Sequence, residues 1–188
     1  VFCVVLLINA FNMIDGLDGL CGGIGLIILG FLTLYASYAG VGELYLPILL
    51  PFLGAMAGFY ILNVRLPCQR RAKVFFGDSG SLALGALLAW LTVTLYNQTD
   101  SQAGGQLAVN IPSMTIGWLL AFPVMDTFAL FSLRLFHMRN PFSADRNHMH
   151  YILRDSGLTA TISVLIVQSF HILYGGIGFF ALIAQKIP

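Results

Sequence analysis

Charge is what this sequence has least of. Only 9% of its 188 residues are Asp, Glu, Lys or Arg, against 58% that are hydrophobic, and the mean hydropathy is +0.86. Soluble domains carry about 25% charged residues, because their surface must meet water. Nine basic and eight acidic side chains cannot clothe a globule of 20.5 kDa. That scarcity excludes a soluble enzyme and a basic nucleic-acid binder. Cysteine is scarce as well. Cys3, Cys21 and Cys68 are odd in number and lie in dissimilar surroundings, without the paired spacing of a metal site or a secreted disulfide framework. Repeats, low-complexity stretches and any soluble domain are also missing. So are an initiator Met and a charged leader: Val1 opens straight into VFCVVLLI, and the polar Asn9 and Asn12 arrive after eight apolar residues. Such a start predicts a chain that begins inside a helix, the C-terminal part of a longer protein.

Long apolar runs are what the sequence does have. After the partial helix ending near Asn12, candidate spans fall at 19–39, 44–63, 80–96, 112–133 and 159–184, the run 80–96 being the shortest. Each is near the ~20 residues that cross a bilayer core, and at such lengths in lipid only a helix satisfies its own backbone. The expected fold is all-α: a polytopic transmembrane helical bundle of about five full spans plus one partial N-terminal span, forming a single membrane domain over 1–188.

The few charges are unevenly placed. Arg65, Arg70, Arg71 and Lys73 lie between two runs, and Arg134, Arg139, Arg146 and Arg154 between another two, leaving only Lys186 of the basic residues. Alternating spans put both basic loops on one side, and the positive-inside rule makes that side cytoplasmic. Asp15, Asp18, Asp78, Asp126, Asp145 and Asp155 gather there too; only Glu43 and Asp100 do not.

Four segments carry the chemistry. In NAFNMIDGLDGL (9–20), Asn9, Asn12, Asp15 and Asp18 recur every three residues, which on a helix stacks them along one face. Oxygen-bearing side chains beside Gly16 and Gly19 suit a hard cation and phosphates; Asp-Gly pairs are equally ordinary turn formers. In KVFFGDSGSLALG (73–85), Asp78 stands at the head of an apolar run, either capping the helix or holding a metal against a phosphate seated on the helix N-terminus. Lys73, Gly77 and Gly80 incline this segment towards a phosphate site. In AFPVMDTF, Asp126 is an intramembrane carboxylate that either meets a substrate polar group or pairs with an Arg or Asn from the cytoplasmic side. In NPFSADRNHMHYILRDSG (140–157), Arg146, His148 and His150 form a cationic, hydrogen-bond-donating cluster on a loop that suits a pyrophosphate. His171, alone in the last span, is expected to hydrogen-bond between helices.

These segments, in this order, resemble the polyprenyl-phosphate N-acetylhexosamine-1-phosphate transferases, with the nearest likeness to their bacterial undecaprenyl-phosphate N-acetylglucosamine branch. The resemblance covers nearly the whole chain. It implies transfer of N-acetylglucosamine-1-phosphate, or a related N-acetylhexosamine-1-phosphate, from a UDP-N-acetylhexosamine to undecaprenyl phosphate, with release of UMP. It also implies Mg²⁺, or Mn²⁺ in its place, and a site on the cytoplasmic face of a bacterial inner membrane, starting a cell-surface polysaccharide. The partners are then the sugar nucleotide, the lipid phosphate and the bilayer, with no nucleic acid, and a homodimer is compatible. By this resemblance Asp78 is the principal metal ligand with Asn12 beside it, and Asp15, Asp18 and Asp78 are catalytic. Asn63 stands where the nucleotide is recognised. Arg134, Arg146, His148 and His150 match positions tied to UDP and the sugar phosphate, and Asn9, Lys73 and Asp126 complete the candidate substrate contacts.

Two departures stand out. The family's aspartate pair in an earlier cytoplasmic loop is absent, so this segment alone is expected to be inactive. Tyr151 follows His150 where the pattern usually has a third histidine, and a phenol carries no positive charge near neutral pH. The rival class is an ion-coupled transporter, which would set its carboxylates at mid-bilayer.

Overall fold

The computed structural model describes residues 2–102, 110–138, 140 and 148–184, with side chains to residue 99 in the first stretch. Eight helices account for most of them: α1 (Phe2–Ile14), α2 (Leu20–Tyr38), α3 (Gly42–Asn63), α4 (Gly77–Gln102), α5 (Ser113–Leu119), α6 (Ala121–Phe136), α7 (Met149–Asp155) and α8 (Ala160–Ala184). No strand occurs among the described residues; the one β-bridge, Leu66 to Gln69, closes a tight turn. Helices α2, α3, α4 and α8 are each long and apolar enough to cross a membrane, and α5 with α6 makes a fifth span if the bent pair is one. The chain is an all-α, multi-pass membrane protein.

Helix α2 is the axis. Leu20, Ile24, Ile28 and Leu32 recur at four-residue intervals and are fully buried, a stripe down one face. Helices α3, α8 and α4 pack around it, and α1 lies against α4 and α6. Near its far end Tyr35 donates its hydroxyl to the Gly175 carbonyl at 3.0 Å and stacks on Phe179. By contrast 61% of the α2 span is buried against 17% of α3, so α3 presents most of its apolar surface outward, as a lipid-facing helix does.

Three sequence expectations need correction. The run 80–96, expected to be the shortest, is the core of the longest helix among the described residues, because the polar residues flanking it at 77–79 and 97–102 continue the helix in both directions at the cost of hydropathy. The run 112–133 is not one straight helix: α5 and α6 meet at 71°. Pro123 lacks the N–H that would bond to the Leu119 carbonyl and crowds that turn, so the helix breaks at Leu120. The polar stripe of the first motif is broken too. Helix α1 stops at Ile14, Gly16 N–H turns back to the Ile14 carbonyl at 2.7 Å, and Gly19 is left-handed at φ 84°. Asn9 and Asn12 therefore ride on α1, while Asp15 and Asp18 sit on the turn before α2.

The close approach of α1 and α4 depends on Gly85. A Cβ there would stand 2.8 Å from the Ile8 Cα and 3.1 Å from the Leu7 carbonyl oxygen, contacts with backbone that cannot swing aside. Gly85→Val is expected to push the helices apart and destabilise the protein by about 1–3 kcal/mol, read as a lowered midpoint in thermal unfolding of detergent-solubilised protein. An unchanged midpoint would show that α1 and α4 are free to separate.

Candidate functional site

The last turn of α1 meets the first turn of α4. Asn12 donates its amide N–H to Asp78 Oδ1 at 3.2 Å and to Ser81 Oγ at 3.1 Å. Ser81 is fully buried and donates back to the Gly77 and Asp78 carbonyls, which fixes the turn that carries Asp78. Of the two readings of Asp78, the cap is not realised: it lies inside the first turn and, among the described residues, accepts no backbone N–H. Its carboxylate points instead towards the α1–α2 turn. Asp15, on that turn, has its carboxyl pushed up to about 6, first by burial and then by the negative charges of Asp78 and Asp18. Three carboxylates from two segments therefore share one electrostatic neighbourhood. Among the described residues no three His, Cys, Asp or Glu side chains converge tightly enough to hold a metal by themselves. Asn12 spends its nitrogen on Asp78 and Ser81, so its carbonyl oxygen is the atom left for a cation.

The turn is fastened from both sides. Gly19 donates its N–H to Asn63 Oδ1 at 2.9 Å, and its carbonyl accepts from Gln168 Nε2 at 2.8 Å. Tyr60 donates to Gln168 Oε1 at 3.1 Å. Only glycine fits position 19, since the backbone is left-handed and a Cβ would press on the Val64 backbone at 3.2 Å. Asn63 also donates to the Val74 carbonyl at 2.8 Å, so its buried carboxamide ties α2, α3 and the loop 64–76 together. Asp18 does similar service: its Oδ2 accepts from Arg65 Nε at 2.8 Å and from the Ala72 N–H at 3.4 Å. Gln69 folds back onto the Leu62 and Val64 carbonyls. Lys73 is exposed, and its backbone N–H donates to the Leu62 carbonyl at 2.8 Å. Between turn and loop lies a cavity of about 200 Å³, lined by Asp15, Asp18, Asn63, Phe75 and Phe76 with Gly16 and Leu17.

The histidine segment docks on the same corner. His148 precedes α7, and its Nδ1 lies 2.8 Å from Asp126 Oδ2; the Met149 N–H donates to Asp126 Oδ1 at 3.1 Å. Asp126 therefore pairs, though with His148 rather than with an Arg or Asn, and caps α7 with its second oxygen. The His148 ring stacks on His150 at 5.5 Å, and His150 packs on Tyr151 at 4.3 Å. His150 is buried against Gly16, where any Cβ would collide with its Nε2. Burial, then the neighbouring His148, lowers its pKa to about 4, against the pull of Asp126. The expected cationic cluster is thus corrected at this position: His150 is neutral at pH 7 because the imidazole is dry. Its Nε2 has no hydrogen-bond partner among the described residues, and so faces the Asp15–Gly16 turn as an unused polar atom. Arg134 is buried in the last turn of α6. Arg146 lies outside the described residues.

Two polar residues behave differently from expectation. Asn9 is exposed and donates to the Val5 carbonyl of its own helix at 2.7 Å. His171 is fully buried, yet neither ring nitrogen has a partner among the described residues; it meets the ring of Phe122 edge-on instead. Ser81, Gln168 and Phe75 were missed by sequence reasoning. Gln168 carried a signal, an amide in the middle of an apolar span; Phe75 carried none beyond its place before Gly77.

Residues 1–96 match the family model described as glycosyl transferase family 4. The undecaprenyl-phosphate alpha-N-acetylglucosaminyl 1-phosphate transferase of Escherichia coli K12 is 30% identical over 188 residues, 100% of this chain and 48% of that protein. Its namesake from Yersinia pestis is 33% identical over 166 residues, 88% and 43% respectively. The decaprenyl-phosphate N-acetylglucosaminephosphotransferase of Mycolicibacterium smegmatis is 31% identical over 173 residues, 87% and 41%. The chain spans about half the length of these relatives.

The raised Asp15 pKa has a signed consequence. A carboxyl that holds its proton more tightly when folded favours the folded state at low pH, and that contribution is lost as pH rises from about 4 through about 6. Carboxyl infrared spectroscopy of metal-free protein is expected to show a protonated band that disappears near pH 6 and shifts to lower pH in Asp78→Asn. A band that titrates at the ordinary value of 3.8 would separate Asp15 from Asp78.

Proposed function

This chain belongs to glycosyl transferase family 4, and from that premise we propose that the full-length protein transfers N-acetylglucosamine-1-phosphate, or a related N-acetylhexosamine-1-phosphate, from a UDP-sugar to undecaprenyl phosphate, releasing UMP. The names of its relatives support the acceptor and the sugar. The observation that carries the reading is the Asn12–Asp78 hydrogen bond, which joins two motifs 66 residues apart beside Asp15. Phosphoryl transfer asks of a protein chiefly positioning and charge neutralisation, and this corner is built for both.

The donor set fits Mg²⁺ or Mn²⁺: carboxylate and amide oxygens, with no thiolate or imidazole at the Asn12–Asp78 pair. Asn12 and Asp78 would hold the ion. Bound there, the metal would neutralise pyrophosphate charge and stabilise the departing UMP. The rest falls to the chain's own groups. Burial and like charge keep Asp15 partly protonated at the metal-free corner, so it can hold or yield a proton beside the transferring phosphate. The nucleotide takes the cavity beside Asn63, with its base against the Phe75 ring, whose face is open. Asn63 keeps a second N–H and a second lone pair for that base beyond its two backbone bonds. His150 is neutral and offers its free Nε2 at the same turn, held in place through His148 and Asp126. Lys73, Arg134 and Arg146 supply positive charge for the phosphates. The lipid phosphate arrives already anionic and needs no strong base.

The site opens on the cytoplasmic face of a bacterial inner membrane in this reading, by the positive-inside rule, and the product begins a cell-surface polysaccharide. The ion-coupled transporter is not favoured, since Asp15, Asp18 and Asp78 gather at helix ends.

The test is UMP release by membranes holding the full-length protein, supplied with polyprenyl phosphate, Mg²⁺ and a panel of UDP-sugars. UDP-N-acetylglucosamine is expected to be the best donor. Metal stabilisation is worth several kcal/mol, so Asp78→Asn is expected to lower turnover by about 100-fold or more. Turnover near normal in that variant would remove Asp78 from the metal site, and silence with every UDP-sugar would reject the reaction.

A further inference from the structure

A second cavity, larger than the one beside Asn63, opens between the loop 64–76 and the start of α8. Its volume is about 750 Å³, within the range of small-molecule sites. Three guanidinium groups line it, from Arg65, Arg70 and Arg154. Arg70 and Arg154 are exposed and hold no carboxylate among the described residues; Arg65 spends its Nε on Asp18 and keeps its terminal nitrogens. The floor is the first turn of α8. There Thr159 accepts the Ile162 N–H through its hydroxyl at 3.3 Å and the Ser163 N–H through its carbonyl at 3.0 Å, which leaves the amides of Ala160 and Thr161 for a ligand. The same pocket is lined by Leu66 and Leu158, so it is apolar on one flank, at the end of a membrane-spanning helix.

Arg70 and Arg154, with the terminal nitrogens of Arg65, gather positive charge around one cavity that an anion between them would relieve, and the planar fork of arginine matches phosphate oxygens in pairs. We propose that this cavity binds a phosphate-bearing anion at the membrane edge, separate from the carboxylate corner. The two sites share a wall. Arg65 lines the arginine cavity while its ion-pair partner Asp18 lines the other, so an anion drawing on Arg65 weakens the hold on Asp18 and with it the set of the Asp15–Gly19 turn. Occupancy would thereby be felt at the carboxylates without touching them. The phosphate has two sources, an anionic phospholipid headgroup or a soluble phosphate, and they are separable.

Full-length protein purified in neutral detergent is followed by thermal unfolding with added phosphatidylglycerol, phosphatidylcholine or inorganic phosphate, and by native mass spectrometry for retained lipid. The variant Arg70→Gln/Arg154→Gln is set against Arg71→Gln, an exposed arginine outside the cavity. Wild type and Arg71→Gln are expected to melt higher with an anionic additive and not with phosphatidylcholine. In the double variant the midpoint without additive is expected to be unchanged, while anion affinity falls about tenfold or more. Should the double variant not fold, the single substitutions Arg70→Gln and Arg154→Gln make the comparison. A response to phosphatidylglycerol alone identifies a lipid headgroup, and a response to inorganic phosphate identifies a soluble ligand. No response to either, or an equal response in Arg71→Gln and the arginine-cavity variants, overturns the site.

Discussion

Everything at the working end of this protein depends on holding like charges together where a bilayer ends. The negative charges of Asp18 and Asp78 bear on Asp15, and burial makes the ionisation of Asp15 dearer still. Among the described residues the fold counters this with neutral donors at the centre: the Asn12 amide reaches Asp78, Ser81 braces the turn beneath it, and Arg65 stands outside on Asp18. Such a corner retains unspent negative charge. The divalent ion proposed above would meet that charge, which a fully neutralised network would not offer.

Rigidity is supplied from a distance. A five-residue turn bearing two aspartates and two glycines would wander by itself. Here Gly19 is gripped at both its polar atoms, one by α3 and the other by α8, and Gly16 is pressed by the His150 ring. The glycines that make the turn possible are also what let the imidazole and the Val64 backbone approach it. One layer further out, Asp126 has a similar role, orienting His148 and starting α7 with its two oxygens.

Much of this was legible in the residues. Run lengths located the spans at 19–39, 44–63 and 159–184 to within a few positions, and the grouping of Asn12, Asp15, Asp78 and His150 followed from charge placement and resemblance together. The failures are instructive. Three-residue spacing from Asn9 to Asp18 mimicked a helical face, although Gly16 and Gly19 also marked a turn; spacing cannot say which wins, whereas the left-handed Gly19 can. Pro123 was visible but its consequence was not, because a proline in a span bends or breaks the helix according to what packs against it. The charge state of His150 depends on dryness created by Gly16 and Tyr151, which no local pattern encodes. Gln168 shows the reverse case: the amide was conspicuous, yet its partner lies 149 residues away.

That separation bears on how the protein is made. A ribosome adding about 5–20 residues per second delivers Gln168 some 7–30 s after Gly19. During that interval the Gly19 carbonyl, already at the membrane surface, has only water or lipid headgroups to answer it. The aspartate turn therefore reaches the membrane well before it acquires its final shape, which waits on a helix made 149 residues later.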